Sequence, residues 1–250
     1  MTRRMLIPLA LIVIGAPSLA AAAEPAAARC EKNQAVIRRL EDMGTFLREQ
    51  RTFSVRSETT TDEVLENGQK IQLAATGELE VRRPDRLHAT FSSDRRDREF
   101  FYDGRTFTVY SPSDGYYATV AAPSSIFALL GQLSDRYNIE LPLADLFRWG
   151  TPRSGVDQIL CASFIGTSKL DGTTTDQFAF RQAGLYWQIW IEQGPRPLPR
   201  KLVLTTTDDP AKPEHTMALD WNLTPRTDPQ AFIFRPPRTA SRIEIVDLGG

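Results

Sequence analysis

Hydrophobic residues in this chain change their period along its length, and each change marks a different element. Val36, Leu40, Met43 and Leu47 recur at helical spacing, supported by Ile37 and Phe46. Arg38, Arg39, Glu41, Asp42 and Arg48 take the opposite side, so the spacing predicts an amphipathic helix that needs a surface to cover. From Thr52 the period falls to two. Runs at 53–64, 70–83, 87–92, 99–102, 106–110 and 116–120 are bounded by turn residues, among them Asn67-Gly68, Asp103-Gly104 and Asp114-Gly115. Strand-like runs resume at 159–169, 174–181, 186–192, 199–207 and 215–221, with Asp171-Gly172 and Gly194-Pro195 between them. Pro195, Pro197 and Pro199 predict an edge or an irregular start there. Turns at this spacing fit an antiparallel meander and exclude a chain of βαβ units.

Between the two strand blocks the helical period returns. Pro123 suits a first helical turn, and Ser124 or Ser125 can cap it. Ile126, Leu129, Leu130, Leu133 and Tyr137 form one stripe, with Phe127 beside it. A second short helix is expected from Pro142 through Leu143, Leu146 and Phe147 to Trp149, stopping at Gly150.

The N-terminus reads as an export leader. Arg3 and Arg4 precede an apolar run at 5–19, and small residues at 20–23 offer a cleavage point before Glu24. The run is shorter than the roughly 20 residues a spanning helix needs. No later stretch is long and apolar enough to span. The expected product is an exported chain with one domain over 24–250. The whole sequence carries 30 basic and 31 acidic side chains, and losing Arg3 and Arg4 lowers the formal charge of −1 by two. Such a balance predicts no basic face, so nucleic acid is not the expected partner.

Two cysteines, Cys30 and Cys161, enter an oxidising compartment. They are a candidate disulfide. Two unpaired thiols, one buried as a small hydrophobe, are the alternative.

Chemistry finds little purchase. His88 and His215 are the two histidines, no Gly-x-Ser-x-Gly elbow is present, and no Cys/His spacing fits a metal site. His88, between Leu87 and Ala89, reads as a strand-surface residue. Asp94, Asp97 and Glu99 alternate with Arg95, Arg96 and Arg98, which reads as a solvated hairpin able to dock a partner. The expectation is no catalytic residue, no metal, no cofactor and no enzyme. What stands out is an excess of aromatic residues: Phe101, Phe107, Phe178, Phe180, Trp187 and Trp190. They either fill a core or leave an apolar pocket.

Several segments resemble a family of predicted periplasmic proteins, the domain of unknown function 2092. They are 98–110 (REFFYDGRTFTVY), 117–119, 135–145 (DRYNIELPLAD), 187–192 (WQIWIE), 196–202 (RPLPRKL) and 220–222. The resemblance spans nearly all of the mature chain. It implies a mainly β (α+β) fold similar to the LolA/LolB lipoprotein carriers. That fold is an unclosed antiparallel barrel, here of about eleven strands, with N-terminal and mid-chain helices lidding its concave face. It also implies a periplasmic, non-enzymatic binder of an apolar or acyl-bearing ligand, a carrier or sensor. The lid would be Ile126, Phe127, Leu130, Leu133, Leu143, Phe147 and Trp149, and the floor Phe107, Trp187 and Ile189. The alternative is a filled barrel that docks an envelope protein. A monomer is expected in either case.

Overall fold

The computed structural model describes residues 30–246. The leader at 1–23 and its cleavage point lie outside the described residues. The chain opens with α1 (Gln34–Glu49). Its start is fixed by the Asn33 side-chain oxygen, which accepts from the amides of Ala35 and Val36 at 2.9 and 3.4 Å. Val36, Ile37, Leu40, Met43 and Leu47 are its buried stripe.

One meander follows: β1 (Thr52–Val64), β2 (Lys70–Arg82), β3 (Arg86–Ser93), β4 (Asp97–Tyr102), β5 (Thr106–Ser111) and β6 (Tyr116–Ala121). The helical insertion comes next as α2 (Ile126–Tyr137) and a 3₁₀ turn at Ala144–Phe147. A second meander completes the sheet: β7 (Cys161–Leu170), β8 (Thr173–Gln182), β9 (Leu185–Glu192), β10 (Pro199–Thr206) and β11 (Glu214–Asn222). The sheet order is β6-β5-β4-β3-β2-β1-β11-β10-β9-β8-β7, with the two-residue β12 (Ser241–Arg242) parallel to β6 at the outer edge. Among the described residues, the strands of the two meanders pair only where β1 meets β11, from Ser54↔Asn222 to Thr61↔His215. The ends do not pair, so the barrel is unclosed.

Two sequence expectations need adjustment. Twelve strands form, not eleven, because β12 is too short to leave a period in the sequence. The second insertion helix is only a 3₁₀ turn, preceded by Leu143 in the left-handed region at φ 62°. Of the two readings of the proline-rich segment, the irregular start holds: β10 lies between β9 and β11, with a register shift between Pro199 and Lys201.

The helices divide the inner face of the sheet. Over β1–β6 lie α2 and the 3₁₀ turn. Ile126, Leu129 and Leu133 pack with Phe53, Leu79, Leu87, Phe100 and Phe107. Two bonds seat the start of α2. The Ile126 amide donates to the Pro84 carbonyl at 2.8 Å, and the Tyr102 hydroxyl donates to the Pro123 carbonyl. Burial pushes the Tyr102 phenol up to about 12. Over β7–β10 lies α1, whose stripe meets Phe178, Phe180, Ile189 and Leu202. Trp149, Met217, Trp221 and Leu223 touch both clusters.

The outer face of the first meander is covered by a strap. After β11 the chain turns through a 3₁₀ segment (Pro229–Phe232) that buries Phe232 completely. Phe234 then sits among Phe101, Tyr110 and Tyr117 at ring separations of 5.2, 5.4 and 5.0 Å.

Two contacts tie α1 in place. A disulfide joins Cys30 to Cys161, with Cα atoms 5.2 Å apart. Beside it, the amide of Asn33 donates to the carbonyl of Ala162 at 3.2 Å. At its other end, α1 meets the lid backbone to backbone. A Cβ on Gly44 would stand 2.4 Å from the nitrogen of Gly150, which itself has φ +72°.

The bridge closes a 131-residue separation. Replacing both cysteines with alanine is expected to cost up to about 4–5 kcal/mol in urea unfolding, the chain-entropy limit for such a loop. Gly44→Ala is expected to cost about 1–3 kcal/mol, because backbone must move to admit the methyl group.

Candidate functional site

On the inner face, residues of β1 facing the helices run Phe53, Val55, Ser57, Thr59, Thr61 and Glu63. The matching β2 series runs Val81, Leu79, Gly77, Ala75, Leu73 and Ile71. Halfway along, bulk gives way to small side chains. The lid does not follow the sheet down there, and a cavity of about 740 Å³ remains between them.

Its walls are apolar. From the sheet come Leu73, Phe91, Phe100, Leu202, Met217 and Leu219; from the lid come Leu141, Leu143, Leu146 and Trp149. Its floor is neutral and polar: Ser57, Thr59, Thr61 and His215 lie on neighbouring strands in register. The Thr61 hydroxyl is 2.8 Å from His215 Nδ1. Burial pushes the His215 imidazole below its ordinary range, opposed by the Asp145 carboxylate.

Charged side chains gather at the mouth, on strand ends, the β3–β4 turn and the lid, with Asp145 near enough to act on His215. Arg95 grips Glu63 through two bonds at 2.7 and 3.1 Å. Arg98 reaches Asp114 at 3.3 Å, and Arg148 reaches Asp145 at 3.4 Å. The alternating segment at 94–99 therefore forms part of the mouth. These pairs are partly or largely exposed and add little stability.

The sequence-selected lining residues separate into three groups. Leu143 and Trp149 reach the cavity. Ile126, Leu133, Phe147 and Phe107 are buried in the core of the first meander, and Trp187 and Ile189 lie beneath α1. Trp187 stacks on Phe180 with ring centroids 4.0 Å apart. Phe127 is 46% exposed and faces away from the main cavity. With Leu130 and Phe147 it lines a smaller one of about 290 Å³, under the Arg153 guanidinium. Sequence reading missed the polar floor and Met217, Phe91 and Leu73. A usable signal existed in β1, where Phe53 and Val55 give way to Ser57 and Thr59 at the same alternation.

His88 is half-buried on the outer face, its ring 4.6 Å from that of Phe101. Among the described residues no group of three or more His, Cys, Asp or Glu could hold a metal ion. No described helix is long and apolar enough to cross a membrane.

A histidine whose folded pKa is depressed binds its proton more readily when unfolded. His215 therefore withdraws stability as pH falls below roughly 6.5 toward its folded value. His215→Gln is expected to flatten the fall in Tm between about pH 7 and pH 5, measured against the parent chain by thermal unfolding.

Over residues 37–246 the chain matches the family described as "Predicted periplasmic protein (DUF2092)". No curated protein matches it. Among solved structures, the lipoprotein LppX of Mycobacterium tuberculosis is 14% identical, with 79% of this chain and all of that chain covered at a TM-score of 0.50. LprF from Mycobacterium bovis is 12% identical, covering 84% of this chain and 99% of its own at 0.46. A LolA superfamily protein from Nitrosomonas europaea is 10% identical, covering 82% and 98% at 0.32. The likeness to LppX is one of fold. With the family match covering most of its length, the chain belongs to the DUF2092 family of predicted periplasmic proteins.

Proposed function

We propose that this protein is a periplasmic, non-enzymatic binder that holds an apolar or acyl-bearing ligand under its lid, as a carrier or sensor. The observation that carries this reading is the 740 Å³ cavity, largely apolar on its walls. Its volume falls within the range of small-molecule sites, roughly 300–1,000 Å³. The fold it shares with the lipoprotein LppX is consistent with this use.

Energetics favour such a ligand. Each buried methylene contributes about 0.8 kcal/mol, so a dozen supply on the order of 10 kcal/mol before the costs of association. Leu143 and Trp149 close the cavity from the lid side, and release requires their segment to move.

Native mass spectrometry of protein purified from periplasm, with solvent extraction of the same sample, tests the reading. A stoichiometric added mass that extracts as lipid is the expected result. Ala75→Trp, which projects an indole from β2 into the cavity, is expected to abolish that mass with little change in Tm. An apo mass in the parent chain, with no uptake of a fluorescent fatty-acid probe, would overturn the proposal and move the search to protein partners.

A further inference from the structure

The floor of the cavity holds polarity that the protein does not use. Ser57 is 5% exposed, yet its hydroxyl has no hydrogen-bond partner among the described residues. The opposing residue in β2 is Gly77, where a Cβ would come 2.7 Å from Ser57 Oγ, so glycine keeps that hydroxyl clear. Two residues along, Thr59 faces the same cavity, and its hydroxyl is also unpartnered among the described residues. His215 engages Thr61 through Nδ1, and its Nε2 has no partner among the described residues. Three neutral polar groups therefore line one cavity with largely apolar walls.

We infer that Ser57 and Thr59, with the ring of His215, are specificity determinants that select a ligand carrying a neutral carbonyl within its apolar body, such as an acyl ester or amide. The inference rests on the carrier reading and deepens it. A plain hydrocarbon seated on this floor would strip water from two hydroxyls and return no hydrogen bond, a loss for each buried donor. A carbonyl oxygen accepts from the hydroxyls and restores the hydrogen bonds that a hydrocarbon cannot return.

The test is displacement of bound N-phenylnaphthylamine by methyl decanoate and by dodecane, matched in length, from the full mature protein. The readout is the ester-to-alkane affinity ratio in the parent chain against that in Ser57→Ala/Thr59→Val. Neither hydroxyl bonds to the protein, so the double variant is expected to keep its Tm. Its ratio is expected to fall about three- to tenfold, the worth of one neutral hydrogen bond. Thr59→Val alone gives part of that fall, and Thr59→Ser, which keeps the hydroxyl, retains the parent ratio. An unchanged ratio in the valine and alanine variants overturns this inference and leaves the carrier reading standing. Failure of the parent chain to bind the dye or either probe removes the carrier reading, and this inference with it.

Discussion

The pairing of β1 with β11 is the constraint on which the rest of the structure depends. Each meander is locally connected and has its own buried cluster under its own helix. Only this ladder, between segments more than 150 positions apart in the chain, makes one sheet of them. Side chains on both faces mark the seam. Inside, Trp221 packs on Phe53 with ring centroids 5.6 Å apart, and its indole N–H donates to the Pro199 carbonyl at 2.7 Å. Outside, Glu78, Arg56, Asp220, Arg200 and Glu192 alternate in charge from β2 to β9, with Arg56–Glu78 and Arg200–Glu192 each at 2.7 Å. The exposed members add little energy singly, but the order of signs opposes a slipped register. A ladder this distant in sequence must close late, so folding is expected to be slow for the chain's size.

The cavity follows from the same seam. Across β2, β1 and β11, the inner-face row at Ala75, Thr59 and Met217 is thinner than the row at Leu79, Val55 and Trp221. Helices rest where the sheet offers bulk, α2 on one meander and α1 on the other. Neither lies against the small residues between. The hollow is thus the place where two well-packed halves meet without sharing a filled centre.

This explains what could be read in the sequence. Strands and helices were legible because period and turn chemistry are local: Asn67-Gly68 announces its hairpin wherever it lies. The strap was not, since Phe232 and Phe234 sit in a segment without period and are buried by tertiary contact alone. The family resemblance supplied the unclosed barrel, which no local pattern encodes. The site was legible only in part, for a physical reason. Large apolar stripes mark what the chain buries against itself, so Ile126, Leu133, Phe107 and Ile189 went to the core. A cavity is marked by missing bulk, at Ser57, Thr59 and Ala75, and polar or small residues in a strand look like solvent exposure until the opposite layer is known.

The contact between Gly44 and Gly150 governs how the lid can move. At that point α1 and the lid are separated by no side chain, and α1 is itself leashed to β7 through Cys30 and Cys161. Sheet, disulfide, helix and lid thus form a closed mechanical circuit. The lid cannot swing about its start, where Pro84 and Tyr102 hold it, nor at its end, where Gly44 does. What is left to flex is the middle, bracketed by Asn138 and Leu143, two non-glycine residues in left-handed backbone at φ 50° and 62°. The freedom left to the lid is therefore bowing of this short span, a drawbridge fixed at both banks.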